Sequence, residues 1–274
     1  MAIHRGHLDK MPVELATPVN YWLALDEERV PLNALLGETL RLRHSGAIHC
    51  TECGRATAKS FAEGFCYPCF RKLAQCDLCI LSPERCHFAA GTCREPEWAL
   101  DFCMTGHVVY LANSSAVKVG ITRAGQTPTR WIDQGATQAL PIARVATRPQ
   151  AGFVEAALRQ HVRDTTDWRA MLKGVPAPAD LGAARDRLRE LCAAELDELA
   201  ARFGIQAIQW VDVADTLAID YPVREYPAKV TAWNLAKTPE VSGRLLGIKG
   251  QYLILDSGVL NVRKFTGYEV SLEV

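Results

Sequence analysis

Residues 50–69 contain two short cysteine pairs, Cys50-Thr51-Glu52-Cys53 and Cys66-Tyr67-Pro68-Cys69, with twelve residues between them. Each two-residue gap allows a turn to point both thiolates at one ion, and four sulfur ligands complete a tetrahedral shell. The spacing therefore predicts a structural zinc site that holds together a segment too small for a core of its own. A set of reduced core thiols, the alternative, would not need paired spacing.

A second group of possible ligands follows directly along the chain. Spacing alone leaves two quartets open, one of Cys76, Cys79, Cys86 and Cys93 and the other of Cys86, Cys93, Cys103 and His107. For His107 an ordinary hydrogen bond at the end of a strand is an equally good interpretation. The sequence thus predicts one to two structural zinc ions and does not choose the second set of ligands.

The distribution of the ten cysteines also predicts a compartment. Nine of them fall between Cys50 and Cys103, and only Cys192 lies elsewhere. Paired spacing of this kind indicates metal binding in a reducing environment rather than a secreted disulfide framework. Because the first residues contain no apolar run and no later stretch is apolar enough to span a bilayer, we expect a cytoplasmic protein without membrane contact.

The charge of the chain is neutral overall but uneven along its length. Residues 103–174 carry nine Lys or Arg against four acids, a local charge of +5, whereas residues 175–220 carry four Arg against nine acids, a local charge of −5. A positive segment attracts phosphate groups. We therefore expect nucleic acid, DNA or RNA, as the partner, with four arginines of this segment as the candidate contacts: Arg123, Arg130, Arg144 and Arg148.

Patterning divides the chain into four segments, which predicts an α+β multidomain protein. Alternation such as Leu40-Arg41-Leu42-Arg43 predicts a β-rich N-terminal module over 1–48, and the cysteine region occupies 49–104. Residues 105–221 indicate an α/β domain with a long helix. Short apolar runs separated by glycines predict a small C-terminal β-barrel or sheet over 222–274. The first and last segments are both β-rich, so they could pack together.

Within the α/β segment, the pattern predicts a series of elements. These are a hairpin of strands 107–112 and 117–121, a short helix capped by Thr127 and Pro128 and ending at Gly135, a strand at 142–146, a helix at 153–162, a long amphipathic helix at 181–203 and a strand at 205–213. The assignments rest on apolar periodicity and on cap and turn residues.

The motifs Val108-Val109-Tyr110 and Lys118-Val119-Gly120-Ile121-Thr122, followed by Arg130 and Glu155, resemble the core of a GIY-YIG nuclease. The resemblance is to the subgroup with lysine in place of the second tyrosine. The whole chain is similar to an uncharacterised bacterial family, domain of unknown function 2797, through the motifs around Lys118 and Arg130 and through Gly247-Ile248-Lys249-Gly250-Gln251-Tyr252-Leu253.

The nuclease resemblance implies hydrolysis of a phosphodiester with one divalent metal ion. It implies that Glu155 holds magnesium or manganese, that Arg130 stabilises charge on the phosphate, and that Tyr110 orients or deprotonates water. Lys118 stands at the position of the second tyrosine, where a lysine can stabilise phosphate charge.

Each of these residues also has a purely structural interpretation. Tyr110 could be a core tyrosine, Glu155 could pair with Arg159 four residues on, and Arg130 could stack on Trp131. Val108-Val109 in place of Gly-Ile also departs from the family pattern. The alternative functions are thus a non-catalytic nucleic-acid-binding or protein-scaffold module that keeps the fold, and a zinc-dependent adaptor without nucleic acid.

Overall fold

The computed structural model describes residues 2–274, and its largest sheet is built from both ends of the chain. The strands are β1 (Ile3–His7), β2 (Val13–Glu14), β3 (Asn20–Leu25), β4 (Glu28–Pro31), β5 (Thr39–Ile48), β6 (His107–Asn113), β7 (Val117–Arg123), β8 (Gln138–Val145), β9 (Ile208–Trp210), β10 (Leu217–Ala218), β11 (Glu240–Lys249), β12 (Tyr252–Leu255), β13 (Gly258–Asn261) and β14 (Tyr268–Glu273). The helices are α1 (Tyr67–Lys72), α2 (Pro96–Phe102), α3 (Thr129–Asp133), α4 (Arg148–Leu158), α5 (Trp168–Met171), α6 (Leu181–Leu191) and α7 (Ala193–Phe203).

The six-stranded sheet has the order β1-β14-β5-β11-β12-β13, with antiparallel neighbours throughout. In its central strand β5, Leu40 and Leu42 are buried whereas Arg41 and Arg43 are exposed, which is the alternation that places one face on a core. The sheet runs from β1 at one edge to β13 at the other, so the C-terminal strands join an open sheet and do not close a barrel. The first and last segments therefore pack together as strands of one sheet.

One hydrophobic core joins this sheet to the central part of the chain. Its buried side chains come from widely separated segments and include Leu42, Tyr110, Ile132, Ile248 and Phe265. A smaller sheet with the order β2-β3-β4 packs on the same core through residues such as Tyr21 and Leu23. The N-terminal, central and C-terminal segments thus bury their apolar faces against one another.

The central sheet has the order β10-β8-β6-β7, with β9 paired to β8. The predicted hairpin is present, since β6 and β7 pair antiparallel from His107–Arg123 to Asn113–Val117. Every residue of β6 is buried because β7 and β8 flank it and core clusters cover both of its faces. A mixed α/β structure with several sheets is therefore confirmed.

Several predicted element boundaries differ from those observed. The long helix at 181–203 is two helices, α6 and α7, because Cys192 leaves helical geometry with φ −108° and ψ 19°. Helix α4 begins at Arg148, five residues earlier than predicted, where Thr147 and Gln150 form a reciprocal capping box. Thr127 does not cap α3, since its hydroxyl donates to the carbonyl of Ala124 at 2.8 Å. The strand predicted at 205–213 is limited to β9.

The cysteine region between β5 and β6 contains little regular structure. It holds the short helices α1 and α2, and between them three single 3-10 turns at 74–76, 78–80 and 83–85. The 83–85 turn packs closely on α4, and a Cβ added at Gly152 of that helix would lie 2.6 Å from the Cβ of Pro83. Within residues 2–274, no helix is long and apolar enough to cross a membrane.

Candidate functional site

The first four cysteines form a compact cluster. The sulfur atoms of Cys50, Cys53, Cys66 and Cys69 all lie within 4.8 Å of one another, and those of Cys53 and Cys66 are 3.8 Å apart. Four convergent thiols are a soft, closed donor set, which suits a metal such as zinc in a structural role. The prediction of a cysteine cluster able to hold one metal ion is confirmed at these four positions.

Local backbone geometry explains why the two pairs converge. The Gly54 N–H donates to the carbonyl of Cys50 at 2.9 Å, and Gly54 itself adopts φ +67°, a conformation that favours glycine. The second pair spans the start of α1, with Cys66 at the N-cap and Cys69 one turn later. Burial opposes ionisation of the Cys50 thiol, but hydrogen bonds from backbone N–H groups of Cys66 and Cys53 outweigh it and lower its pKa to about 6. A thiolate ready to bind metal is thereby favoured.

The other cysteines of the region form a group that matches neither of the two predicted quartets. Four cysteines line one small cavity: Cys79, Cys86, Cys93 and Cys103. Cys76 does not line it, and neither does His107, whose Nδ1 lies 2.7 Å from the carbonyl of Thr105. Among residues 2–274, the ligand atoms in this part of the chain that lie within 4.8 Å of one another are those of Asp77, Cys79 and His87, so the sulfurs of the four cavity cysteines are more widely spaced than those of the first cluster.

The four residues singled out by the nuclease resemblance line one cleft of about 460 Å³: Tyr110, Lys118, Arg130 and Glu155. Tyr110 comes from β6, Lys118 from β7, Arg130 from α3 and Glu155 from α4. The structure therefore brings all four together. The cleft is predominantly basic, with cations Lys10, Lys118, Arg123, Arg130, Arg148 and Arg263 and acids Asp133, Glu155 and Asp164.

Tyr110 is the most enclosed of the four, with 0 % of its surface exposed. Its hydroxyl donates to Oε1 of Gln134 at 3.0 Å. On the neighbouring strand, Gly120 is paired directly with Tyr110, and a Cβ at that position would lie 2.7 Å from the tyrosine hydroxyl. Burial raises the pKa of Tyr110, against the opposing effects of the Arg130 charge and the Gln134 hydrogen bond. The tyrosine is therefore a neutral hydrogen-bonding group.

Lys118 and Glu155 are two oppositely charged side chains that lie largely buried in the cleft and influence the pKa of each other. Lys118 is 5 % exposed, and burial, reinforced by Arg130, lowers its pKa to about 8 against the opposing charge of Glu155. Burial and the nearby carboxylate of Asp164 raise the pKa of Glu155. Within residues 2–274 we find no hydrogen bond or ion pair to the Glu155 carboxylate. Arg159, its predicted partner, lies 3.4 Å from Glu84 instead.

The four predicted nucleic-acid contacts do not share one surface. Arg123, Arg130 and Arg148 line the cleft, whereas Arg144 is exposed in β8 beside a separate hollow. The Arg123 guanidinium stacks 3.9 Å from the ring centroid of Phe102. Arg148 donates from Nη2 to the carbonyl of Ile80 at 2.6 Å, and its buried Nε has no hydrogen-bond partner within residues 2–274.

Sequence reasoning missed the cleft residues that come from distant segments. Lys10, near the N-terminus, pairs with Asp133 at 2.5 Å, and Arg263, near the C-terminus, pairs with Glu63 at 2.6 Å. The cysteine region contributes Ile80 and Pro83 to the wall. None of these positions lies in a motif, so only the folded chain brings them to the cleft.

Comparison with known proteins identifies the family. Residues 37–270 match the family described as Protein of unknown function (DUF2797), and the chain belongs to that family. No curated protein and no solved structure matched the chain significantly.

Proposed function

We propose that this chain is a zinc-containing nucleic-acid-binding protein that hydrolyses a phosphodiester in the cleft between β6, β7, α3 and α4. The observation that carries the proposal is the convergence of Tyr110, Lys118, Arg130 and Glu155 on one basic concavity. A polar, positively charged cleft is suited to a phosphate backbone, because cations supply most of the sequence-independent affinity for nucleic acids.

A divalent cation, magnesium or manganese, fits the acidic side of the cleft. Glu155 has a carboxylate without a protein partner within residues 2–274, and Asp164 lies near enough to raise its pKa. A hard cation prefers such oxygen ligands and takes its remaining ligands from water and phosphate. A bound ion would supply positive charge beside the phosphate and a water of lowered pKa.

The other residues have roles that follow from their positions. Arg130 would donate to phosphate oxygens, and Lys118, when protonated, would add positive charge from the floor of the cleft. The hydroxyl of Tyr110 is oriented by Gln134 and would hold a water or phosphate oxygen near Arg130. This arrangement suits stabilisation of charge that develops on the phosphate during in-line attack.

A second candidate function, nucleic-acid binding without hydrolysis, is favoured by one specific feature. The Tyr110 side chain is fully enclosed, and its hydroxyl already has a partner in Gln134. If that enclosure persists when nucleic acid binds, the tyrosine cannot reach a water, and the cleft only grips the phosphate. Cleavage and binding therefore have to be measured separately.

The test compares wild-type protein with four variants on fluorescent single- and double-stranded DNA and RNA, with and without magnesium or manganese. Glu155→Gln should abolish cleavage and leave affinity within about twofold, because losing the metal harms the transition state more than ground-state binding. Glu198→Gln, an exposed glutamate of α7, is the matched control.

Arg130→Ala should weaken binding and reduce the slope of log affinity against log salt by about one, if it contacts one phosphate. Arg144→Ala removes the same charge outside the cleft and should leave binding unchanged. Salt-dependent binding without cleavage would select the second candidate. Binding that is absent, or equal for wild type and Arg130→Ala, would refute nucleic-acid recognition by this cleft.

A further inference from the structure

The segment between α1 and α2 has no apolar core to hold its shape. Its regular structure is limited to three single 3-10 turns, and Leu78 and Leu81 are 72 % and 83 % exposed. A segment of this kind keeps a defined fold only when other bonds replace hydrophobic burial. Three cysteines of this segment, Cys79, Cys86 and Cys93, nevertheless line one common cavity with Cys103, which caps the end of α2.

The polar neighbours of that cavity are already bonded. Asp77 accepts from the Cys79 N–H at 3.3 Å and pairs with Nε of Arg94 at 2.6 Å. Nδ1 of His87 lies 2.8 Å from the hydroxyl oxygen of Thr92. Within residues 2–274 we find no hydrogen bond to the four cavity thiols. His87 Nε2 faces Asp77 at 3.6 Å, which leaves the four thiols as the groups of this cavity without a polar partner.

From this arrangement we infer a second structural zinc site, with the thiolates of Cys79, Cys86, Cys93 and Cys103 as its ligands. Four thiolates match the closed tetrahedral shell of structural zinc, and binding would release the thiol protons to solvent. Asp77 lies beside the ligands and orients the Cys79 turn by accepting from the Cys79 N–H, and neither Asp77 nor its neighbour His87 binds the ion.

The inferred site also supports one wall of the cleft. The carbonyl of Cys103 accepts from the Arg148 N–H at 2.7 Å, and the carbonyl of Ile80, next to Cys79, accepts from its guanidinium. Zinc held by Cys79 and Cys103 would thus fix both carbonyls that orient Arg148. The site is a structural centre whose existence does not depend on what the cleft binds.

The test is the zinc content of the purified full chain, measured by mass spectrometry against protein concentration. Wild type should contain two zinc ions per chain. Cys86→Ser and Cys53→Ser should each fall to one, by loss of different ions, and Cys76→Ser, a neighbouring thiol outside the cavity, should retain two. One ion in wild type, two ions in Cys86→Ser, or a loss in Cys76→Ser would overturn the assignment.

X-ray absorption at the zinc edge tests the ligands in wild type, even if a variant fails to fold. Two all-cysteine sites should give about four sulfur neighbours per zinc at about 2.3 Å. A nitrogen or oxygen contribution would place His87 or Asp77 in the shell and would refute the four-cysteine assignment. Neither measurement involves nucleic acid, so this inference and the proposed function can fail independently.

Discussion

The pairing of Gly120 with Tyr110 predicts a clear effect of adding one methyl group. In Gly120→Ala, the new Cβ would lie 2.7 Å from the tyrosine Oη and 2.8 Å from its Cζ, well inside van der Waals contact. The ring cannot swing into solvent because it is fully enclosed, and Trp131 packs at its edge with ring centroids 5.8 Å apart. The clash must therefore be relieved by moving β7 or the ring, and with it the hydrogen bond to Gln134.

Overpacking a tight core costs about 1–3 kcal/mol of the free energy of unfolding. Since 1 kcal/mol shifts Tm by roughly 2–4 °C in domains of 150–250 residues, Gly120→Ala should lower Tm by roughly 2–12 °C. Adding Tyr110→Phe removes the closest atom, so the double variant should lose less stability than the sum of the single variants.

Thermal unfolding followed by circular dichroism measures both effects. Gly125→Ala is the matched control, because a Cβ at Gly125 has no heavy atom within 4 Å apart from its chain neighbours. Equal Tm values for Gly120→Ala and Gly125→Ala would show that the strand and ring are not as close as described; full additivity with Tyr110→Phe would assign the clash to the ring carbons rather than to the hydroxyl.

Four further predictions concern charge and packing. The pKa of Lys118 is about 8, so its positive charge is present below that pH and is lost above it. The affinity of the protein for a DNA or RNA probe should therefore fall as pH rises through about 8. If the same fall in affinity occurs in Lys118→Arg, another group causes it. Lys249 is fully buried and donates to the carbonyls of Met171 and Gly174, so Lys249→Met should lower the free energy of unfolding by about 1–3 kcal/mol in urea titrations, unlike the exposed Lys237→Met. The pKa of Lys249 is about 8 in the folded state and 10.5 for a free lysine. Between pH 8 and pH 10.5 the unfolded chain therefore binds more protons than the folded chain, and wild type should gain stability relative to Lys249→Met as pH rises through that range. Finally, Gly152→Ala should push the 83–85 turn off α4 and speed proteolysis of residues 76–95, whereas Gly182→Ala, with only an ordinary contact, should not; equal cleavage rates would contradict this packing.

The parts of the fold that could be predicted depend on local patterns. The hairpin of β6 and β7 follows from two apolar runs around Asn113-Ser114-Ser115, and the cysteine cluster follows from two short spacings. The break between α6 and α7 could not be predicted, since Leu191-Cys192-Ala193 contains no glycine or proline. In the folded chain Cys192 is fully buried, and its Sγ lies 3.7 Å from the Ala157 carbonyl of α4, a tertiary contact with no local signal.

The candidate site also contains residues that local sequence could predict and residues that only the folded chain brings together. Its four central residues could be placed because each lies in a motif with a defined element order. Lys10 and Arg263 could not, because they reach the cleft only after β1 and β14 have paired across nearly the whole chain. The arrangement of the second cysteine group could not be predicted because its one close pair, Cys76 and Cys79, is split in the folded chain: Cys79 lines the cavity with Cys86, Cys93 and Cys103, whereas Cys76 does not.

The position of β5 at the centre of the six-stranded sheet has a consequence for biosynthesis. Its two neighbours, β11 and β14, are made only after residues 49–239 have been translated, so at about 5–20 residues per second the strand waits on the order of 10–40 s with both edges unpaired. A nascent strand with unpaired edges can pair with another nascent chain on the same polysome. Arg41 and Arg43 alternate with its apolar residues, and charged residues of this kind discourage such pairing. We therefore expect the two arginines to limit mispairing of β5 during translation, and in the finished sheet Arg41 faces Glu240 and Glu273, each at 3.6 Å, on the strands that arrive last.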